Sequence, residues 1–214
     1  MVNACGQTVS CKPVIYEPGE WRYVMTLVKA LLPELSFHRD GEAAAAASRL
    51  GGVSIEVLRD FDWGKPAVYM PPFERVVDGT VVVAVEGYTA KKLMRRGVRA
   101  DVVVSDLDFD PEAVQLGKTQ VVHVHGDNFW RVGPGRRVYT VQTWPVGCTF
   151  NVSGFTDGDR AVYLAYYMGA REVDISGFYP DIPLKRDDAV KRKKLAVAQH
   201  LLARLSQRLT LRFI

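Results

Sequence analysis

Apolar positions in the first third of the chain recur at helical spacing. Trp21, Val24, Met25, Val28 and Leu31 fall three or four residues apart, the period that lines one face of an α-helix. The pattern predicts a helix over residues 18–32. A second is expected to start at Asp40, a residue type that caps free amides, and to run through the alanines of 43–47 to Gly51. A short third helix is read over residues 54–60. From Lys65 the pattern changes. Residues 67–70, 80–85, 100–105, 121–125, 139–142, 172–176 and 209–213 read as strands. Several are continuous valine runs, the mark of strands buried on both faces. Between them, residues 88–96, 157–168 and 187–207 carry helical patterns, the first closed by Gly97 and the second by Gly169.

Strands alternating with helices imply an α/β fold with a mostly parallel sheet covered on both faces. The expected organisation is an N-terminal helical segment, residues 1–64, ahead of an α/β catalytic core, residues 65–214. No internal repeat or low-complexity linker interrupts the 214 residues.

Composition narrows the class. Hydrophobic residues make up 48% and charged residues 24% of the chain, ordinary for a globular protein. No apolar run is long enough for a membrane helix and no signal peptide is evident, so a cytoplasmic protein is expected, without a membrane partner. The three cysteines, Cys5, Cys11 and Cys148, match no zinc spacing, and their odd number favours reduced thiols over a disulfide framework. The net charge of +4 is compatible with a polyanionic small molecule. Lys191, Arg192, Lys193 and Lys194 lie in a helical pattern, equally readable as a solvated face or as a phosphate contact. No aromatics interleave them, so nucleic acid is not an expected partner.

Functional groups in such sheets gather beyond the carboxyl ends of the strands, and three acidic motifs fall there. The first is Ser105-Asp106-Leu107-Asp108-Phe109-Asp110 after a valine run. In extended backbone, alternate side chains share a face, so Asp106 and Asp108 are expected to point together and hold one hard cation. A cap and a turn aspartate would explain the same residues without chemistry. The second is His123-Val124-His125-Gly126-Asp127-Asn128, where the glycine admits a ligand and Asp127 can join the metal shell. Two imidazoles and a carboxylate could alternatively bind a transition metal, and an ordinary turn is the plain alternative. The third is Gly154-Phe155-Thr156-Asp157-Gly158-Asp159-Arg160-Ala161. Thr156 and Asp159 have the spacing of a capping box, hence of a helix start suited to phosphate, and Asp157 and Arg160 could orient metal or phosphate beside it. No Walker-type, Gly-x-Gly-x-x-Gly or Gly-x-Ser-x-Gly pattern is present. A metal-assisted phosphoryl-type transfer suits these groups, since that chemistry is mostly positioning and charge neutralisation.

At these residues the chain resembles the archaeal 6-hydroxymethyl-7,8-dihydropterin pyrophosphokinases, and more distantly the thiamine pyrophosphokinases. Ser105-Asp106-Leu107-Asp108 is similar to that family's Thr-Asp-Leu-Asp, residues 123–128 to its His-Ala-His-Gly-Asp-Asn, and residues 155–161 to its Phe-Thr-Asp-Gly-Asp-Arg-Ala. The likeness covers roughly residues 65 to 200. It implies a thiamine-pyrophosphokinase-like or Rossmann-like fold and Mg2+-dependent transfer of diphosphate from ATP to a pterin alcohol, with AMP released, in folate or methanopterin synthesis. Residue by residue, it implies Asp106, Asp108 and Asp127 as metal ligands, with Asp106 and Asp108 closest to the chemistry. It implies Thr156, Asp157, Arg160 and Asn128 as groups serving the nucleotide. A homo-oligomer is left open.

Two positions depart from the pattern. Met70, Pro71, Pro72 and Phe73 stand where the family has a glycine-rich turn, and Glu86-Gly87-Tyr88-Thr89 where it tends to have Gly-Ala-Asp/Asn. A thiamine or sugar-nucleotide transferase, or a non-catalytic nucleotide-binding module, are therefore the alternatives. For ring stacking, Phe129, Trp130 and Trp144 are candidates.

Overall fold

A computed structural model describes residues 11–181 and 188–214. In chain order the elements are β1 (Val14–Ile15), α1 (Pro18–Leu31), α2 (Asp40–Ser48), a 3-10 helix (Ile55–Asp60), β2 (Ala67–Tyr69), β3 (Val82–Val85) and α3 (Glu86–Arg95). There follow β4 (Val102–Ser105), a second 3-10 helix (Pro111–Leu116), β5 (Thr119–Val124), β6 (Arg137–Val141), β7 (Thr149–Asn151), α4 (Asp157–Tyr167), β8 (Glu172–Ser176), α5 (Ala189–Leu205) and β9 (Thr210–Phe213). Residue 187, where the last helix is expected to start, lies outside the described residues. α5 is described from Ala189, with the Asp188 carboxylate accepting from the Lys191 amide.

The nine strands of the described residues form one parallel sheet in the order β1-β7-β6-β5-β4-β3-β2-β8-β9. The valine runs occupy its middle because both faces there are covered. Val83, Val102, Val104 and Val121 pack on one face with α1, α4 and α5, and Ala84, Val103 and Val122 on the other with α2 and α3. The strands therefore bury both residue parities, which is why they read as runs rather than alternations. β1 and β7 escape the sequence pattern, being only two and three residues long.

The chain reverses its direction of sheet growth at β2, with β3 on one side and β8 on the other. Beside that switch point the turn after β2 meets the end of β8. Gly177 has φ 98°, and a Cβ there would stand 2.0 Å from the Met70 carbonyl, so only glycine lets the two loops touch.

α1 is tied to α4 and α5, its neighbours on the same face of the sheet, by one buried acid. Glu20 accepts from the Tyr163 hydroxyl at 2.6 Å and from Arg204 Nε at 3.0 and 3.1 Å. Burial pushes its carboxyl up, but these donors together with Arg208 bring it below the usual range.

Cys11 and Cys148 form a disulfide across 137 residues, their Cα atoms 4.9 Å apart. This corrects the expectation of reduced thiols. The spacing says nothing by itself; the fold brings the segment ahead of β1 beside the strand β7 that β1 pairs with. Cys5 lies outside the described residues. Among the described residues no helix is long and apolar enough to cross a membrane.

Candidate metal centre and its cleft

A cleft of about 610 Å³ opens at the carboxyl edge of the sheet, at the switch point, where ligands bind in sheets of this kind. Each strand of the valine-rich middle delivers a polar group to it. β3 ends at Val85, and Glu86 turns the corner into α3 with φ 69°, a left-handed conformation that costs a glutamate of order 1 kcal/mol. The next residue, Gly87, allows the corner to close, because a Cβ there would meet the Asp110 carbonyl at 1.8 Å. The Ser105 hydroxyl at the end of β4 donates to Glu86 Oε2 at 2.8 Å in a buried bond.

Asp106 follows. Its amide donates to Asp157 Oδ2 at 2.8 Å, joining the end of β4 to the start of α4. The backbone then turns: Leu107 has φ 67°, and the Asp108 amide donates back to Asp106 Oδ1 at 2.9 Å. Extended alternation stops at Ser105, so Asp106 and Asp108 do not share a face as the sequence parity suggests. The Asp108 carboxylate pairs instead with Arg131 at 2.6 Å, both side chains half-exposed. Asp127 lies 4.0 Å from His125 Nδ1 with its side chain 90% exposed. Both line the cleft, Asp127 the more exposed of the two.

Asn128 is a brace. Its Oδ1 accepts from the His125 amide at 2.9 Å, and its Nδ2 donates to the carbonyls of Asp106 at 2.7 Å and His123 at 2.8 Å. With both amide hydrogens committed, this fully buried side chain locks the end of β5 to Asp106.

The third motif makes the start of α4. The capping box expected from Thr156 and Asp159 is present, Asp159 accepting from the amides of Phe155 and Thr156 and from the Thr156 hydroxyl. Asp157 is thereby fixed at the first turn. Arg160 is 2% exposed and donates to Asp157 Oδ1 at 3.1 Å and to the Phe155 carbonyl at 3.3 Å.

These elements converge on three carboxylates. Oxygens of Glu86, Asp106 and Asp157 all lie within 4.8 Å of one another, the set among the described residues that could hold a metal ion. Burial, then the charges of Asp106 and Glu86, hold the Asp157 carboxyl well above its usual range, against the opposing pull of Arg160 and the Asp106 amide. Three acids against one guanidinium leave negative charge in excess, which a hard divalent cation relieves. The donors are all oxygen, the set that suits magnesium or manganese rather than zinc or copper. His123 and His125 stand aside: their rings stack at 5.6 Å, and burial lowers the pKa of both, His123 far more strongly.

Curated proteins carry the same sequence relationship. A 159-residue segment is 33% identical to the 6-hydroxymethyl-7,8-dihydropterin pyrophosphokinase of Methanothermobacter thermautotrophicus, over 63% of this chain and 66% of that protein. A 188-residue segment is 29% identical to the protein of that name from Methanocaldococcus jannaschii, over 75% and 70%. A 108-residue segment is 42% identical to its namesake from Pyrococcus furiosus, over 47% and 46%. These three archaeal proteins are homologues of the chain. No family model matches it. The aligned segments span just under two thirds of the first relative and under half of the Pyrococcus protein.

The structure sorts the expected site residues by position. Asp106, Asp108, Asp127, Thr156, Asp157 and Arg160 all line the cleft, and Asn128 lies beneath it. Glu86 joins the carboxylate cluster although the sequence marks it only as a departure from the family pattern; an acid followed by glycine at the end of a valine run was its signal. The basic run divides by helical phase. Lys191 and Lys194, three apart, line the cleft, while Lys193 reaches Glu34 at 3.4 Å. Trp130 and Trp144 are mostly exposed and, like Phe129, lie outside the cleft, whose aromatic walls include Phe37, Phe109, Phe155 and Phe178.

Proposed function

We propose that the chain is a 6-hydroxymethyl-7,8-dihydropterin pyrophosphokinase that moves a diphosphate from ATP to the pterin alcohol and releases AMP, as its relatives' names suggest. The observation that supports this reading most is the Glu86–Asp106–Asp157 cluster, two of its acids buried and Asp106 half-buried, in one cleft with Lys191 and Lys194. A magnesium-type cation held by those carboxylates, with Asp108 and Asp127 also lining the cleft, would neutralise phosphate charge and favour departure of AMP.

The residues of the chain do the rest. Lys191 and Lys194 line the cleft as cations suited to phosphate oxygens. Arg160, clamped by Asp157 and the Phe155 carbonyl, keeps the start of α4 in place below the phosphates. The hydroxyl oxygen of the acceptor forms the new bond to the β-phosphorus, and the bond from that phosphorus to the oxygen of the α-phosphate breaks. The hydroxyl proton passes to solvent or to Asp108, a half-exposed carboxylate lining the cleft. The bulky turn of Met70 and Pro71 walls the cleft where a glycine-rich loop is usual in the family, so phosphate binding falls to side chains and α4 rather than to that turn.

Incubation of the purified chain with ATP, Mg2+ and reduced 6-hydroxymethylpterin tests the assignment. AMP and pterin diphosphate should form one-to-one and vanish with chelator. AMP with thiamine alone, or nucleotide release from sugar nucleotides only, would move the protein to another acceptor. ATP binding with no transfer to any acceptor would leave a binding module.

A further inference from the structure

One buried polar atom on the cleft wall has no task in the chemistry above. His123 is 2% exposed and lines the cleft; its Nδ1 lies 3.2 Å from the Thr140 hydroxyl, the Gln142 side chain is close enough to act on the ring, and its Nε2 makes no hydrogen bond of ordinary geometry. An orphaned buried nitrogen costs roughly 1–3 kcal/mol, and a ligand that reaches it recovers that cost. Burial and the nearby Arg160 charge keep the ring neutral, so it is no phosphate anchor. The Thr140 hydroxyl can donate or accept, and Nε2 can therefore take either role towards a neutral ring.

Asp40 stands on the same side of the cleft. It is 4% exposed, and its two oxygens accept from the Gly126 amide and from Gln142 Nε2, each at 2.9 Å. A carboxylate offers about four acceptor sites, so two remain. Asp40 lines both the main cleft and an adjoining hollow of about 470 Å³ beside Trp21, and Phe37 and Gln142 are also shared. The cleft thus continues past the carboxylate cluster into a region where Trp21, Met25 and Phe37 stand among polar side chains such as Arg22, Lys29 and Gln142. β5, which carries His123, is the neighbour of β4 and two strands from β3, about 5 Å per strand. The cleft's volume of about 610 Å³ is room enough for a bicyclic ring beside the cluster.

We propose that Asp40 and His123 read the edge of the acceptor's heterocycle, placing its ring at the β5–β6 end of the cleft with the hydroxymethyl group towards Asp106. An amino-pyrimidinone edge presents a ring N–H and an exocyclic amine side by side, two donors that match a fixed carboxylate. The inference rests on the pyrophosphokinase reading for the identity of the ring.

Its test is separable from that reading. Binding of fluorescent 6-hydroxymethylpterin to the full chain is measured for the parent, Asp40→Asn and His123→Leu, alongside binding of ATP. Each variant should weaken pterin binding about 10-fold and leave ATP affinity within about twofold. The parent should also bind 6-hydroxymethyllumazine, which carries oxygen in place of the amine, about 10-fold more weakly, and Asp40→Asn should erase that preference. Unchanged pterin affinity in both variants, or equal losses for pterin and ATP, would overturn the proposal. Should His123→Leu fail to fold, equal affinity of the parent for pterin and lumazine would overturn it alone. Pterin binding without diphosphate transfer would defeat the activity but not this inference; transfer by a parent blind to the amine would do the reverse.

Discussion

Asp157 carries two roles that a substitution can separate. It caps the Asp106 amide at 2.8 Å and faces Arg160 at 3.1 Å, and its carboxyl is held well above the usual range by burial and two acidic neighbours. Burial and the two acids thus disfavour its charged form when no cation is present. Asp157→Asn should cost about 1 kcal/mol or less in metal-free stability by chemical denaturation, while turnover falls by about 100-fold or more. Asp106→Asn, half-buried, should show the same split; loss of folding in both variants would mean that the cluster is scaffolding only. At this scale the sequence shows residue types but not their directions. Asp106 and Asp157 are legible from their motifs. The parting of Asp106 from Asp108 is not, because it depends on a left-handed Leu107 that no periodicity announces. Asn128 looks like a ligand in sequence for the same reason that it is a good brace: its amide can satisfy three backbone groups at once.

Among the elements, the helices and central strands follow from pattern, because local period and burial agree there. What pattern cannot give is which helix holds which. α1 is bound to α4 and α5 through Glu20, an isolated acid on a helix face that carries no motif. Glu20→Gln should lower stability by about 2 kcal/mol at neutral pH, with the helices otherwise intact by circular dichroism. The sign of the pH dependence follows from its depressed pKa. Its contribution is fully present above the ordinary glutamate value and is lost as pH falls through the lower folded one. The difference between parent and variant should therefore be constant above about pH 5.5 and close in acid; a gap that persists unchanged at pH 3 would refute the ion-pair explanation. The basic run of α5 shows the opposite case, where helical phase alone decides that Lys191 and Lys194 face the cleft and Lys193 does not.

For the molecule as a whole, alternating strands and helices make a parallel α/β sheet readable, but strand order is not, and it is the order that creates the switch point and gathers Glu86, Asp106 and Asp157. The link from Cys11 to Cys148 also exists only at this scale. Closing so long a loop constrains the unfolded chain, and Cys11→Ser should reduce stability by about 2–4 kcal/mol, matched in the parent by added reductant. If reductant changes nothing in the parent, the two thiols are not joined in solution. The central claim, that the three converging carboxylates form a divalent-metal site, is tested most directly by calorimetric titration of the full chain with Mn2+ in parallel with Asp106→Asn and Asp157→Asn. One site per chain in the parent, lost in both variants while each remains folded, is the predicted result; Mn2+ binding of equal strength in all three proteins would contradict it.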